Sequence, residues 1–248
     1  MAFQGGLIGG RSYAFTGEYG IGKTILLGTI SDNLNQQEVP HLFFTGETEP
    51  KVIEIRNAAR RMEMNASSIT DVGNEYYDLV KGKLNPYLNE FIKDFTFYHY
   101  CPGITLDEIK RKIYQAYHQH NIQGVIFDYW QLLMPPKMMN HSNFLRMAII
   151  EITALCRKLN LWFIITAQSD QHGVPILNDR ALQESCTYVT SMTRDPNGEV
   201  VTFQNYKNNY SRCVEIGNEG TPEVIFSLDG PHFKTPSPED LSQLNIES

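Results

Sequence analysis

The residues best equipped for chemistry are Gly17-Glu18-Tyr19-Gly20-Ile21-Gly22-Lys23-Thr24, which fit the spacing G-x-x-x-x-G-K-[ST]. Glycines at 17, 20 and 22 let the backbone curl so that successive N–H groups point inward at an anion. Lys23 adds a point charge suited to the β- and γ-phosphates of a nucleotide, and the Thr24 hydroxyl suits Mg²⁺. A helix starting near Gly22 would aim its positive end at the same anion. By chance alone such a pattern turns up in roughly one chain in a hundred of this length, before any structural context is required. The context is present. Ser12 to Thr16 reads as a short buried strand ahead of the loop, and Ile25 to Ile30 as an apolar helix behind it.

Three more polar residues stand where strands end. His41 to Thr45 reads as a buried strand running into Gly46-Glu47-Thr48-Glu49-Pro50. Gly124 to Asp128 is a second, ending in a carboxylate, and Leu161 to Thr166 a third, ending at Gln168. Ligands of parallel α/β sheets gather beyond the carboxyl ends of the strands. Asp128 is therefore expected to support the metal through water, although by itself it reads as a turn residue. Glu47 is the candidate general base for a water attacking the γ-phosphate. Glu49 is a rival, better read as a solvated residue of a helix's first turn. Gln168 would hydrogen-bond the γ-phosphate or the attacking water and so distinguish ATP from ADP.

These residues need a frame. Pro50 suits the first turn of a helix carrying Arg56, Arg60 and Arg61, which read as an ordinary solvated face in preference to a subunit interface. Asp32 to Pro40 reads as a polar connection, and 62–93 as helices joined by a variable loop. Phe95 to Tyr98 alternates like a strand. Thr105 to Glu108 has capping-box spacing, ahead of a helix with Leu106, Ile109, Ile113, Ala116 and Tyr117 on one face. Leu145, Ala148, Ile149, Ile152, Leu155, Cys156 and Leu159 mark a long amphipathic helix. Past residue 185 the pattern becomes strand-like at 188–193, 199–206, 212–217 and 223–228, with Asp195 to Gly198 as a turn. The expected fold class is α/β, a mostly parallel sheet flanked by helices and extended by C-terminal antiparallel strands. One domain should cover 1–234, and 235–248, with no Lys or Arg, reads as a disordered acidic tail.

Bulk properties narrow the classes. A chain of 248 residues with 42% hydrophobic and 20% charged residues fits one large globular domain. No apolar run is long enough to span a membrane, and no basic-then-apolar leader marks a secretory signal. Cys101, Cys156, Cys186 and Cys213 lack metal-ligand spacing and read as reduced thiols of a cytoplasmic protein. The net charge of −7 argues against coating nucleic acid by bulk electrostatics, though not against a local basic pore. The histidines at 99, 118, 120, 141 and 172 have no mutual spacing for a metal or a triad.

Together these segments resemble the C-terminal ATPase domain of DnaB-type replicative helicases, within the RecA-like P-loop NTPases. The likeness runs from about Gly6 to Lys234. Leu42 to Glu47 is similar to that family's strand bearing the catalytic glutamate, and Pro102 to Ile109 to the element before its second carboxylate. Phe127-Asp128-Tyr129-Trp130-Gln131-Leu132-Leu133 resembles its Asp-Tyr-Leu-Gln-Leu run, and Ala154 to Asn160 leads into Ile164 to Gln168 as there. The resemblance implies ATP and Mg²⁺ as cofactors and a homo-oligomeric ring, commonly a hexamer, with nucleotide between neighbouring subunits. It implies a Lys-x-Arg pair reaching the neighbour's γ-phosphate. Here Lys207 matches, Asn209 stands at the arginine position, and Arg212 lies three residues on as a candidate replacement. The family's pore loops are basic, whereas 135–143 offers only Lys137 and 169–185 only Arg180.

Two readings therefore stand. One is an Mg²⁺-dependent ATPase of a ring helicase, coupled to movement on single-stranded DNA. The other is a RecA-like ATP-binding switch or assembly ATPase without unwinding activity. Strand-exchange recombination is a third, less favoured by the helicase-like segments. The family's N-terminal domain has no counterpart in these residues, so the chain reads as an excised domain or a reduced relative.

Overall fold

The structure is a computed structural model, and it describes residues 6–62, 95–128, 130–169, 179–194, 200–209, 225–229 and 232–234. Among these, nine strands form one sheet: β1 (Ser12–Gly17), β2 (His41–Thr45), β3 (Thr96–Tyr100), β4 (Gly124–Asp128), β5 (Trp162–Gln168), β6 (Tyr188–Arg194), β7 (Val200–Asn208), β8 (Ile225–Asp229) and β9 (His232–Lys234). Their order is β3-β2-β4-β5-β1-β6-β7-β8-β9. The pairings from β3 through β6 are parallel, and those from β6 to β9 antiparallel. The fold is thus a mostly parallel, RecA-like sheet with antiparallel strands added at one edge. The helices are α1 (Lys23–Gln36), α2 (Pro50–Arg61), α3 (Leu106–His120), α4 (His141–Lys158) and α5 (Asp179–Ser185).

The strands read as continuous apolar runs because helices cover both faces. Period-two alternation divides each run between two cores. Leu42, Phe44, Val125, Phe127, Phe163 and Ile165 face one core, with Ile109 and Ile113 of α3 and Leu145 and Ile149 of α4. Phe43, Ile126, Ile164, Tyr13 and Phe15 face the other, with Leu27 of α1 and Ile53 of α2. Each fully buried Leu, Ile or Phe contributes about 2 kcal/mol, so these two layers hold the sheet edge that carries the site rigidly in place.

Local signals set the helix starts. Thr105 caps α3 with a complete capping box, Glu108 bonding back to it. The Asn140 side chain caps α4 by accepting from Ser142 and Asn143 N–H. Pro50 occupies the first turn of α2, where its missing N–H costs nothing.

Two expectations are overturned. The stretch from Asp32 is not a polar connection, because α1 continues through it to Gln36. Asp32 is buried at 6% exposure and pairs with both Arg60 and Arg61 of α2. Those arginines are therefore not a solvated face. A buried carboxylate needs charge-assisted partners, and the packing of α1 on α2 brings two guanidinium groups to it. Arg56 in turn lines a small cavity between the same helices with Thr24, Gly28 and Asn57.

Strand β6 joins β1 in parallel rather than opening a purely antiparallel run, while the expected β6–β7 pairing is present. α5 and β9 are short elements with no periodic signal in the sequence. The segments expected as helices within 63–93, the turn at 195–198, the strand at 212–217 and the tail from 235 lie outside the described residues.

Candidate functional site at the carboxyl edge of the sheet

Parallel pairing brings the ends of four strands to one edge. Gly17 stands opposite Gln168, and Thr45 opposite Asp128, so the loop, Glu47, Asp128 and Gln168 share that edge. Backbone bonds lock the level. Gly46 N donates to the Asp128 carbonyl at 3.1 Å, and Ser169 N to the Gly17 carbonyl at 2.9 Å.

The loop closes onto α1 at Gly22, which caps the helix in the left-handed region at φ 104°. Only glycine adopts this cheaply. Unlike α3 and α4, α1 has no side-chain cap on its first-turn N–H groups. An anion is the natural partner for those donors. Gly17 is needed for space. A Cβ there would stand 2.8 Å from Ile21 Cγ2 and 3.1 Å from the Met192 carbonyl oxygen.

Lys23 folds back over the loop, its Nζ donating to the carbonyls of Gly17 at 2.8 Å and Glu18 at 2.7 Å. Burial lowers its pKa, opposed by the fields of Asp128, Glu47 and Glu18. Glu47 and Asp128 therefore lie within electrostatic reach of the same ammonium. Glu49 is not among these three carboxylates; it is the N-cap residue of α2. Glu47 is exposed on the turn after β2, shaped by the Thr45 hydroxyl donating to the Thr48 carbonyl.

Asp128 is 4% exposed. Its carboxylate accepts from the Thr166 hydroxyl at 2.8 Å, and the Thr24 hydroxyl lies close enough to act on its titration. Burial raises its pKa, and the two hydroxyls and Lys23 oppose the rise. Thr24 and Asp128 are thus neighbours at this edge. Among the described residues no group of three or more His, Cys, Asp or Glu side chains is placed to hold a metal ion. A hydroxyl and one carboxylate suit Mg²⁺, which keeps waters and shares phosphate oxygens, better than an ion that needs a full protein cage. The donor set fits a Mg²⁺–triphosphate.

Lys207 is elsewhere. On β7 it pairs with Val189, level with Ala14, and its Nζ donates to the Glu184 carbonyl at 3.4 Å. That level is three residues, about 10 Å, back along the strands from Gly17. Lys207 is not part of the group around Lys23. Arg212 lies outside the described residues, and Asn209 is exposed.

Two contacts of the site escaped the sequence reading. Thr166, which braces Asp128, is the polar residue inside the apolar run of β5, and only the pairing of β5 with β4 makes it the neighbour of that carboxylate. Arg194, at the end of β6, donates to the Gly20 carbonyl at 3.2 Å. Cys101, Cys156 and Cys186 are free and buried, as expected of reduced thiols.

A mostly parallel sheet with a glycine loop between its central strand and the following helix defines a RecA-like P-loop core. Residues 2–173 match the family described as "DnaB-like helicase C terminal domain", and the chain belongs to that family. It is similar to the solved structure described as "ATPase Domain of G40P", with a TM-score of 0.73, 16% identity, and coverage of 92% of this chain and 85% of that one. It is also similar to "The Structure Of A DnaB-Like Replicative Helicase And Its Interactions With Primase", with a TM-score of 0.76 and 17% identity. That match covers 93% of this chain and 58% of the other, so this chain spans little more than half of its length. At such identities the likeness speaks for the fold. No curated protein sequence matches the chain.

Proposed function

We propose that the chain is the Mg²⁺-dependent ATPase core of a DnaB-like ring helicase that couples hydrolysis to movement on single-stranded DNA. What supports this reading is that Lys23, Thr24, Glu47 and Asp128 lie along one carboxyl edge of the sheet, beside the loop that Gly22 closes. Mg²⁺, when bound, screens the charge that develops on the transferred phosphoryl oxygens. Residues 17–24 bind phosphate through backbone N–H groups and the Lys23 ammonium. Thr24 contributes its hydroxyl to the metal, and Asp128 orients the metal's waters. Glu47 takes a proton from the attacking water; Gln168, beside Gly17, relays the nucleotide state. Lys207, set away from its own loop, serves a neighbour's site in a ring, with Arg212 standing in for the arginine absent at Asn209. The protein works in the cytoplasm.

One observation favours the alternative, an ATP switch without unwinding. In the stretch after Leu133, Met134, Met138 and Met139 are exposed and Lys137 is the only basic residue before Asn140, so phosphate contacts there are few. The deciding experiment is the ATPase rate with and without single-stranded DNA, across protein concentration and salt. Stimulation that fades steeply with salt and rises with concentration supports the ring motor; a rate indifferent to DNA rejects it in favour of the switch.

A further inference from the structure

Strand β6 does more than extend the sheet. Its side chains alternate, so Met192 and Arg194 lie on one face, two residues apart. Met192 is fully buried, packs in the same core as Ile21, and closes against Gly17. Arg194, on the same face one step further along, reaches the Gly20 carbonyl.

Gly20 occupies the left-handed region at φ 77°, yet a Cβ there would meet nothing within 4 Å. Glycine is therefore needed at this position for its conformation and not for space. That conformation turns the Gly20 carbonyl outward to Arg194. In a trans peptide the following N–H points the opposite way, and Ile21 N donates to the Glu18 carbonyl at 3.4 Å. Both ends of the Gly20–Ile21 peptide are held.

We propose that Arg194 is a positioning residue for phosphate binding. From the end of β6 it fixes the Gly20–Ile21 peptide, so that the curl of the loop is set by the neighbouring strand as well as by its glycines. This rests on residues 17–24 being a triphosphate site. Arg194 touches the loop, and the loop touches phosphate. A loop already curled loses less freedom when an anion binds, so the residue acts on affinity more than on the turnover of bound nucleotide.

The test is binding of ATP and of inorganic tripolyphosphate, with Mg²⁺, to the full chain and to Arg194→Ala and Arg194→Lys. Tripolyphosphate has no base or sugar, so it reads the loop alone. Arg194→Ala should bind both ligands about three- to tenfold more weakly, with KM raised and kcat nearly unchanged, and Arg194→Lys should recover most of the loss. The midpoint of thermal unfolding without ligand should stay that of the parent, since the side chain is exposed. Wild type binding neither ligand overturns both the triphosphate site and this role. Wild type binding both while Arg194→Ala binds equally well overturns Arg194 alone. A loss with ATP but none with tripolyphosphate also overturns it, by showing a contact to the nucleoside instead.

Discussion

Thr166 and Asp128 are joined across adjacent parallel strands by a 2.8 Å hydrogen bond, the hydroxyl of one bracing the buried carboxylate of the other. The carboxylate is held in one orientation beneath Thr24 and Lys23, at a cost in desolvation that raises its pKa. Because the folded state binds this proton more tightly than the unfolded chain, ionisation subtracts stability as pH rises above the ordinary aspartate range. Asp128→Asn should therefore lose about a hundredfold or more in Mg²⁺-dependent turnover. It should unfold at no lower temperature than wild type at pH 7, with any advantage shrinking toward acid pH. Thermal unfolding at several pH values, beside ATPase rates, checks both; a variant clearly less stable at neutral pH would contradict the cost assigned to burial.

Glu47 and Lys23 should separate chemistry from binding. Glu47 is exposed on a turn that other contacts shape, so Glu47→Gln should fold and bind ATP while turnover falls by about a hundredfold to ten-thousandfold. Lys23→Ala removes the loop's cation and should lose nucleotide binding itself. Titration with a fluorescent ATP analogue beside steady-state ATPase rates tells the two apart. Wild-type hydrolysis by Glu47→Gln would reject it as the base.

The Asp32 pair with Arg60 and Arg61 ties α1 to α2 behind the loop. Asp32→Ala leaves two partly buried guanidinium groups without their carboxylate, and should destabilise the protein by about 3 kcal/mol. The Asp32→Ala, Arg60→Ala and Arg61→Ala triple variant should fall short of the sum of the three single losses, since they share one interaction. Urea unfolding of the four variants is the measurement, and simple additivity would show that the pair is not coupled.

His41 is completely buried at the start of β2. Its Nδ1–H donates to the Val39 carbonyl at 2.8 Å, and Nε2 accepts from the Ser31 hydroxyl at 2.7 Å. Burial lowers its pKa from 6.5 to about 4. The unfolded chain binds this proton first on acidification, so stability is full above pH 6.5 and falls as pH drops toward 4. Between pH 7 and pH 5 this one group should remove about 2 kcal/mol. His41→Asn, although less stable at pH 7, should show a visibly shallower loss over that interval in urea titrations. Parallel curves for the two proteins would exclude the histidine as a source of the slope.

Much of the site could be read before the fold was known, because its signals are local. The glycine spacing of 17–24 demands a curled backbone wherever it occurs. The strands His41–Thr45 and Gly124–Asp128 match the spans read for them, since strands covered on both faces carry unbroken apolar centres, here Leu42 to Phe44 and Val125 to Phe127. The box at Thr105 and Glu108 is a bond between residues three apart, written in two letters.

What escaped reading was partnership across distance. A charged residue in a helix looks solvated in sequence, yet Asp32 is buried because residues 28 and 29 positions away reach it. Arg194 and Gly20 are separated by 174 positions, and no local pattern announces their contact. Lys207 is assigned to a neighbour's site by likeness alone, and within its own chain the antiparallel return of β7 sets it level with Ala14, back from the loop.

The sequence by itself determined the anion-binding loop, the carboxylates at strand ends and the alternation of strand and helix, because backbone conformation and side-chain period are properties of neighbouring residues. Only the tertiary structure decided which strand lies beside which, that Thr166 braces Asp128, and that β6 flanks the loop. Pairing order in a sheet is settled by the simultaneous burial of two faces, and that burial exists only once the whole layer has assembled.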